Sequence, residues 1–205
     1  MGHHGMTVPL PGRLVDQGPL LRELVELGYT DAWSSEANGA DAFTPLALAS
    51  VHAPELRLGT AIVPAFTRGP ALVAQSVASM ASAAPGRFVL GIGSSSNVIV
   101  EGWNGIAFDE PYKRTRDLLR FLRTALTGDK VTETYDTFAV RGFRLGVEVP
   151  ETPVPILVAA LREGMLRLAG REGDGAIINW LSADDVRRVA GIVDDEGDDR
   201  EIVAL

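Results

Sequence analysis

Arg87-Phe88-Val89-Leu90-Gly91-Ile92-Gly93-Ser94-Ser95-Ser96 is an apolar run that passes directly into a turn of glycine and serine. A doubly wound dinucleotide-binding sheet ends its first strand in G-x-G-x-x-G. Here Ser96 stands where the third glycine belongs, and the run is the fourth strand-like segment of the chain, counting a first around Thr7 to Leu10. The strand therefore reads as one stave of a (β/α) barrel, in which the polar turn lies at the C-terminal end where sites are built.

The segments on either side have the same grammar. Strand-like bursts rich in Val, Ile, Leu and Ala occur at Thr30 to Ser34, Leu56 to Val63, Val154 to Ala160, Gly175 to Trp180 and Glu201 to Leu205. Most are apolar on both faces, as parallel strands covered by helices are. Between them the apolar spacing lengthens to that of helices. Pro19 to Leu27 ends at Gly28, and Pro111 to Leu126 carries Leu118, Leu119, Leu122 and Leu126 on one side before Gly128. Ser182 with Asp185 three residues later opens a helix over Val186 to Val193. The exception is 131–149, where Tyr135, Phe138, Val140, Phe143 and Leu145 alternate at short period and predict an inserted hairpin. The fold class expected is an α/β, (β/α)8 TIM-type barrel, a single domain over 1–205, incomplete at its C-terminal end. Such barrels take about 250 residues, and this chain has 205 and stops within a seventh strand. The first strand is interrupted by Pro9 and Pro11.

Composition narrows the function classes. The chain has 46% hydrophobic and 22% charged residues, close to globular averages. It has no Cys, so disulfides, thiolate metal sites and a Cys nucleophile are excluded, a cytoplasmic location is expected, and no metal site is assigned. A formal charge of −8 disfavours nucleic acid as a partner, and no apolar run is long enough to span a membrane.

Three strand-end segments carry candidate chemistry. Trp33-Ser34-Ser35-Glu36 offers a carboxylate, with an ordinary solvated loop as the alternative. Thr60-Ala61-Ile62 lets a ligand approach the backbone, and Arg68 downstream is available to an anion; the alternative is a proline-rich turn. Gly91, Gly93, Ser94, Ser95 and Ser96 form a cradle for phosphate or a ring edge, or else a flexible turn.

In their order these segments resemble the luciferase-like family, and within it the branch using coenzyme F-420. The resemblance rests on Leu27-Gly28-Tyr29-Thr30-Asp31-Ala32-Trp33-Ser34-Ser35-Glu36, on Arg57 through Pro64 with Thr67-Arg68-Gly69-Pro70, and on Pro85 through Ser95 followed by Val100-Glu101-Gly102-Trp103-Asn104-Gly105. It continues through Pro155 to Leu161, Met165 to Gly170 and Asn179-Trp180. It implies an oxidoreductase, in some members a monooxygenase, with coenzyme F-420 as cofactor, FMN as the alternative, and a small-molecule substrate. It also implies a non-proline cis peptide at Ala61-Ile62, a ring site over Trp33, Thr60, Ala61, Ile62, Gly91 and Gly93, and a polar tail near Ser94, Ser95, Ser96 and Arg68. Ala160, Gly164 and Met165, the last two at a helix start, are expected near its phosphate. The catalytic carboxylates expected are Glu36 and Glu101.

Two features depart from the family. Ala37 and Asn38 occupy positions where many members carry histidine, so no His base is available there. His52 reads as structural, and His3 and His4 as a disordered start or tag. An open seventh strand also calls for a partner, so a homodimer is expected, or aggregation of a truncated chain. A binding protein without turnover and an inactive barrel fragment remain as alternatives.

Overall fold

The computed structural model describes residues 2–149 and 151–205. The chain opens with strand β1 (Gly5–Thr7), helix α1 (Gln17–Glu26), β2 (Asp31–Ser34), α2 (Thr44–His52), β3 (Arg57–Thr60), β4 (Val63–Pro64) and α3 (Pro70–Ala83). It continues through β5 (Phe88–Gly93), α4 (Pro111–Ala125), β6 (Val131–Thr134), β7 (Ala139–Phe143) and β8 (Ile156–Ala159). It finishes with α5 (Glu163–Arg171), β9 (Gly175–Ile178), α6 (Ala183–Asp194) and β10 (Glu201–Ala204).

The strands form one sheet in the order β1-β2-β3-β5-β8-β9-β10, with β4 also pairing β5, and every pairing is parallel. This is an incomplete TIM-like half-barrel, because among the described residues no strand joins β10 to β1. The expected adjacency of the strands around Leu58 and Phe88 is present, with Leu58 opposite Phe88 and Gly59 opposite Val89. The expected hairpin is also present, β6 against β7 in antiparallel register.

Period-two alternation sorts each strand's side chains between two cores. Outward residues such as Ala32, Leu58, Leu90, Ile92, Val158 and Ala176 join the larger core beneath the helices. Inward residues Trp33, Val89, Leu157 and Ile177 form a separate cluster that fills the barrel interior. The Trp33 ring fills the space beside two glycines of neighbouring strands: a Cβ on Gly59 would lie 2.2 Å from it and one on Gly5 2.7 Å. Below it, at the N-terminal ends of the strands, Arg57 sits 5.7 Å from the Trp33 ring centre and donates to Glu201 of β10 at 2.7 and 2.5 Å and to buried Asp31 at 3.4 Å. Three strands separate β3 from β10 in the sheet, so this contact requires the sheet to curl.

Several boundaries differ from the expected ones. The first strand is Gly5–Thr7 rather than Thr7 to Leu10, because Pro9 and Pro11 have no N–H for a ladder. His3 and His4 are ordered parts of that edge: His3 Nδ1 lies 3.0 Å from Asp31 Oδ2, and the His4 carbonyl accepts from Thr30 N at 2.9 Å. The ring of His52 packs against Gly18 of α1, as a structural histidine does. The Ser182 hydroxyl caps α6, accepting from Asp185 N at 3.2 Å. No described helix is long and apolar enough to cross a membrane.

Candidate functional site

The Leu56 to Val63 run is two strands, and the break builds the site. Gly59 pairs with Val89, but Val63 pairs with Ile92, so the three residues 60–62 face only Leu90 and Gly91. One extra residue makes a bulge. Thr60 replaces the missing ladder rung with its side chain: its hydroxyl donates to the Gly91 carbonyl at 2.9 Å and accepts from Gly91 N at 2.8 Å. On the other side Ala61 N donates to Ser34 O at 2.6 Å and Glu36 N to Ile62 O at 3.2 Å. The Ala61-Ile62 peptide is cis, at the position the resemblance implied.

The bulge faces a cavity of about 730 Å³ at the C-terminal mouth of the half-barrel. Its floor is small, Ala61 and Ile62 from the bulge and Ala159 from β8, and these pack over Gly93, where a Cβ would meet Ala159 Cβ at 2.9 Å and Ile62 at 3.4 Å. Ser94 and Ser95 rim the cavity beyond β5, Ser95 with φ of 63°. Across the mouth stand Ala160, Arg162, Gly164 and Met165 at the start of α5. Within that helix start, Met165 N already donates to Arg162 O at 3.0 Å.

Of the residues singled out from sequence, Ala61, Ile62, Ser94, Ser95, Ala160, Gly164 and Met165 come together around this cavity. Thr60 and Gly91 lie beneath its floor and hold the bulge. Trp33, 4% exposed, fills the interior below it. Ser96 turns the chain into a π-helical segment over Val98–Trp103, its carbonyl accepting from Val100 N at 2.9 Å.

The two carboxylates sit apart from the cavity lining. Glu36 is engaged by Arg68, whose Nε lies 3.0 Å from each of its oxygens. Arg68 also lies 3.5 Å from Asp41 and 5.0 Å from the ring centre of Phe43. Burial works to raise the Asp41 carboxyl, but hydrogen bonds from Thr44 and Phe43 and the charge of Arg68 hold it below its ordinary value. Arg68 thus meets anions belonging to the chain itself. Glu101, exposed on the π-helical segment, accepts from Phe108 N at 3.2 Å.

Phe108, Pro111, Tyr112, Leu161, Arg162 and Asn179 also line the cavity and were not among the expected site residues. Asn179 follows the end of β9, and strand-end position is a signal that identifies it. Phe108 and Tyr112 carry no comparable signal, because the loop before α4 and the first turn of α4 reach the mouth only through tertiary packing.

A family model described as luciferase-like monooxygenase matches residues 2–197. An F-420-dependent glucose-6-phosphate dehydrogenase of Gordonia bronchialis is 34% identical, the match covering 76% of this chain and 52% of that protein. A 5,10-methylenetetrahydromethanopterin reductase of Methanolobus tindarius is 29% identical over 74% of this chain and 46% of its own. The chain spans about half the length of the curated relatives it matches. Among solved structures, the coenzyme F-420 dependent tetrahydromethanopterin reductase from Methanopyrus kandleri superposes with a TM-score of 0.86 at 19% identity, over 98% of this chain and 65% of that one. Fold, strand-end site and sequence agree, and the chain belongs to the luciferase-like monooxygenase family, among relatives that include F-420-dependent dehydrogenases and reductases.

Proposed function

We propose that this chain holds coenzyme F-420, with FMN as the alternative, in an oxidoreductase that passes a hydride between the cofactor and a small organic molecule. The observation that carries the reading is the bulged, side-chain-poor floor at Ala61, Ile62 and Ala159, packed over Gly93, beneath a cavity of about 730 Å³. Ligand sites typically span roughly 300–1,000 Å³, and a floor of small side chains suits a planar ring. The residues present therefore fit a tricyclic cofactor.

When bound, such a cofactor supplies the hydride chemistry, and the protein binds, orients and excludes water. In this reading the Ala61–Ile62 backbone supports one ring face, held up by Thr60. Ser94 and Ser95 offer hydroxyls to the polar edge. Arg162, the one charged side chain among the described lining residues, and the first amides of α5 favour an anionic group. Glu101, which lies outside the lining but accepts from the backbone of the lining residue Phe108, is the carboxylate assigned to the substrate's proton, while Glu36 fixes Arg68. The cytoplasmic location and the homodimer belong to the same proposal.

A second reading, cofactor binding without turnover, is favoured by the Glu36–Arg68 pair, which commits the carboxylate after β2, and by Ala37 and Asn38 beside it. Fluorescence titration of the purified chain with F-420 and with FMN tests the first step, and reduction of a reporter dye tests turnover. Saturable binding that Gly93→Val abolishes is expected. A folded chain that binds neither compound refutes the proposal, and binding without dye reduction selects the second reading.

A further inference from the structure

Arg114, near the start of α4, is a cation half-withdrawn from water. Its guanidinium carbon lies 5.7 Å from the ring centre of Phe66 and 4.9 Å from that of Phe138, and it forms no salt bridge among the described residues. Burial lowers its pKa from the ordinary arginine value, with Asp117 opposing. A charge withdrawn from water is costly unless hydrogen bonds and aromatic faces compensate it. Here Nε donates to the Ala65 carbonyl at 3.0 Å and Nη1 to the Thr137 carbonyl at 3.4 Å.

Those contacts join two parts of the molecule. Ala65 follows β4, and its N–H donates to Gly93 O at 2.8 Å. β4 is only two residues long and its second is Pro64, which has no N–H, so the strand beyond the bulge has little backbone pairing of its own. Phe66 comes next and packs on Phe108 with ring centres 5.1 Å apart, and Phe108 lines the cavity. On the other side, Thr137 and Phe138 lie in the β6–β7 turn. That turn is fixed to α4: Asp117, 1% exposed, accepts from Thr137 N at 2.9 Å and from its hydroxyl at 3.0 Å. Phe121 packs against Tyr135, Phe138 and Phe143. The hairpin is packed and hydrogen-bonded onto α4, and Arg114 ties the cavity wall to it.

We propose that Arg114 is a positioning residue that holds the Ala65–Phe66 segment, and through Phe66 the Phe108 wall of the cavity, against the β6–β7 hairpin. This rests on the cavity being the cofactor site. The hairpin, which contributes none of the described lining residues, thereby acquires a role in binding, and a lysine does not substitute for the arginine, because one ammonium cannot serve two carbonyls and two ring faces in a plane.

The test uses the whole chain, with F-420 and FMN titrated by fluorescence and urea unfolding run on the same preparations. Arg114→Met is expected to weaken binding of whichever cofactor the wild type takes by about tenfold, equivalent to about 1.4 kcal/mol. Arg114→Lys is expected to recover less than half of that loss. Leu24→Val in α1 serves as the stability reference, since it loosens the core without touching the relay, and its dissociation constant should stay within about twofold of wild type while its urea midpoint falls. Phe66→Leu keeps Arg114 but breaks the relay, and is expected to weaken binding as Arg114→Met does, so it decides the matter if Arg114→Met does not fold. Folded Arg114→Met or Phe66→Leu protein binding with wild-type affinity overturns the proposal, as does a Leu24→Val chain that loses affinity in proportion to its stability. A wild-type chain that binds neither cofactor overturns the site reading and this proposal with it.

Discussion

Replacing Thr60 by valine isolates the hydroxyl that stands in for a rung of the sheet. The two side chains are nearly isosteric, so packing is preserved while both bonds to Gly91, at 2.9 and 2.8 Å, are lost. Thr60 is 0% exposed, so water does not replace them. A buried N–H or C=O left without its partner costs about 1–3 kcal/mol, and the added methyl returns about 0.8 kcal/mol at most. With both the Gly91 N–H and C=O orphaned, the net expectation is a loss of about 1–5 kcal/mol, against the roughly 5–15 kcal/mol that keeps a domain folded. Thr60→Ser keeps the hydroxyl and gives up one methyl, a loss of about 1 kcal/mol. Urea unfolding followed by far-UV circular dichroism, with an unchanged slope, measures both. The bulge forms the cavity floor, so Thr60→Val should also weaken cofactor binding more than Thr60→Ser does. If Thr60→Ser is the less stable of the two, or Thr60→Val matches wild type, the hydroxyl does not hold the bulge.

Glu101→Gln is expected to lower turnover by roughly 10²–10⁴-fold, the usual worth of a general acid or base, while cofactor affinity stays unchanged; stopped-flow reduction and titration separate the two, and unaltered turnover removes Glu101 from the mechanism. Arg57→Met leaves buried Asp31 with only its His3 and Thr30 contacts and frees Glu201. Removing one partner of a fully buried pair costs about 3–5 kcal/mol; with Arg57 at 20% and Glu201 at 34% exposure, about 2–3 kcal/mol is expected in urea, and a loss below about 0.5 kcal/mol, as for an exposed pair, shows that the sheet's curl is held elsewhere. The Glu172 carboxyl is held below its ordinary value of 4.5 by the hydrogen bond from Arg120, against burial. Because its folded pKa is depressed, that contribution is present above the ordinary glutamate range and is lost as pH falls through the folded value. Arg120→Gln should therefore differ from wild type in urea midpoint at pH 7 and converge with it in acid, and an equal difference at both extremes contradicts the assignment.

The strand-helix alternation, the parallel apolar strands, the 131–149 hairpin and the Ser182 cap were legible in the sequence, because each is set by residues within a few positions of one another. The glycine-serine turn after β5 was legible from its own residues, and the family resemblance added the cis peptide at Ala61-Ile62. Neighbouring residues cannot specify partners far along the chain, and those came only with the tertiary structure. Arg68, free to meet a ligand when read alone, is drawn to Glu36, 32 residues away, because β2 pairs with β3 and so sets the segments after β2 and β4 side by side. Arg57 finds Glu201 across 144 residues. Trp33 ends in the barrel interior because Gly5 and Gly59 flank it on either side and leave room for an indole. Phe108, Tyr112 and Arg162 reach the cavity because α4 and α5 pack where the sheet puts them. Local periodicity decided which segments become strands and helices; burial and charge pairing between distant segments decided which side chains meet at the mouth.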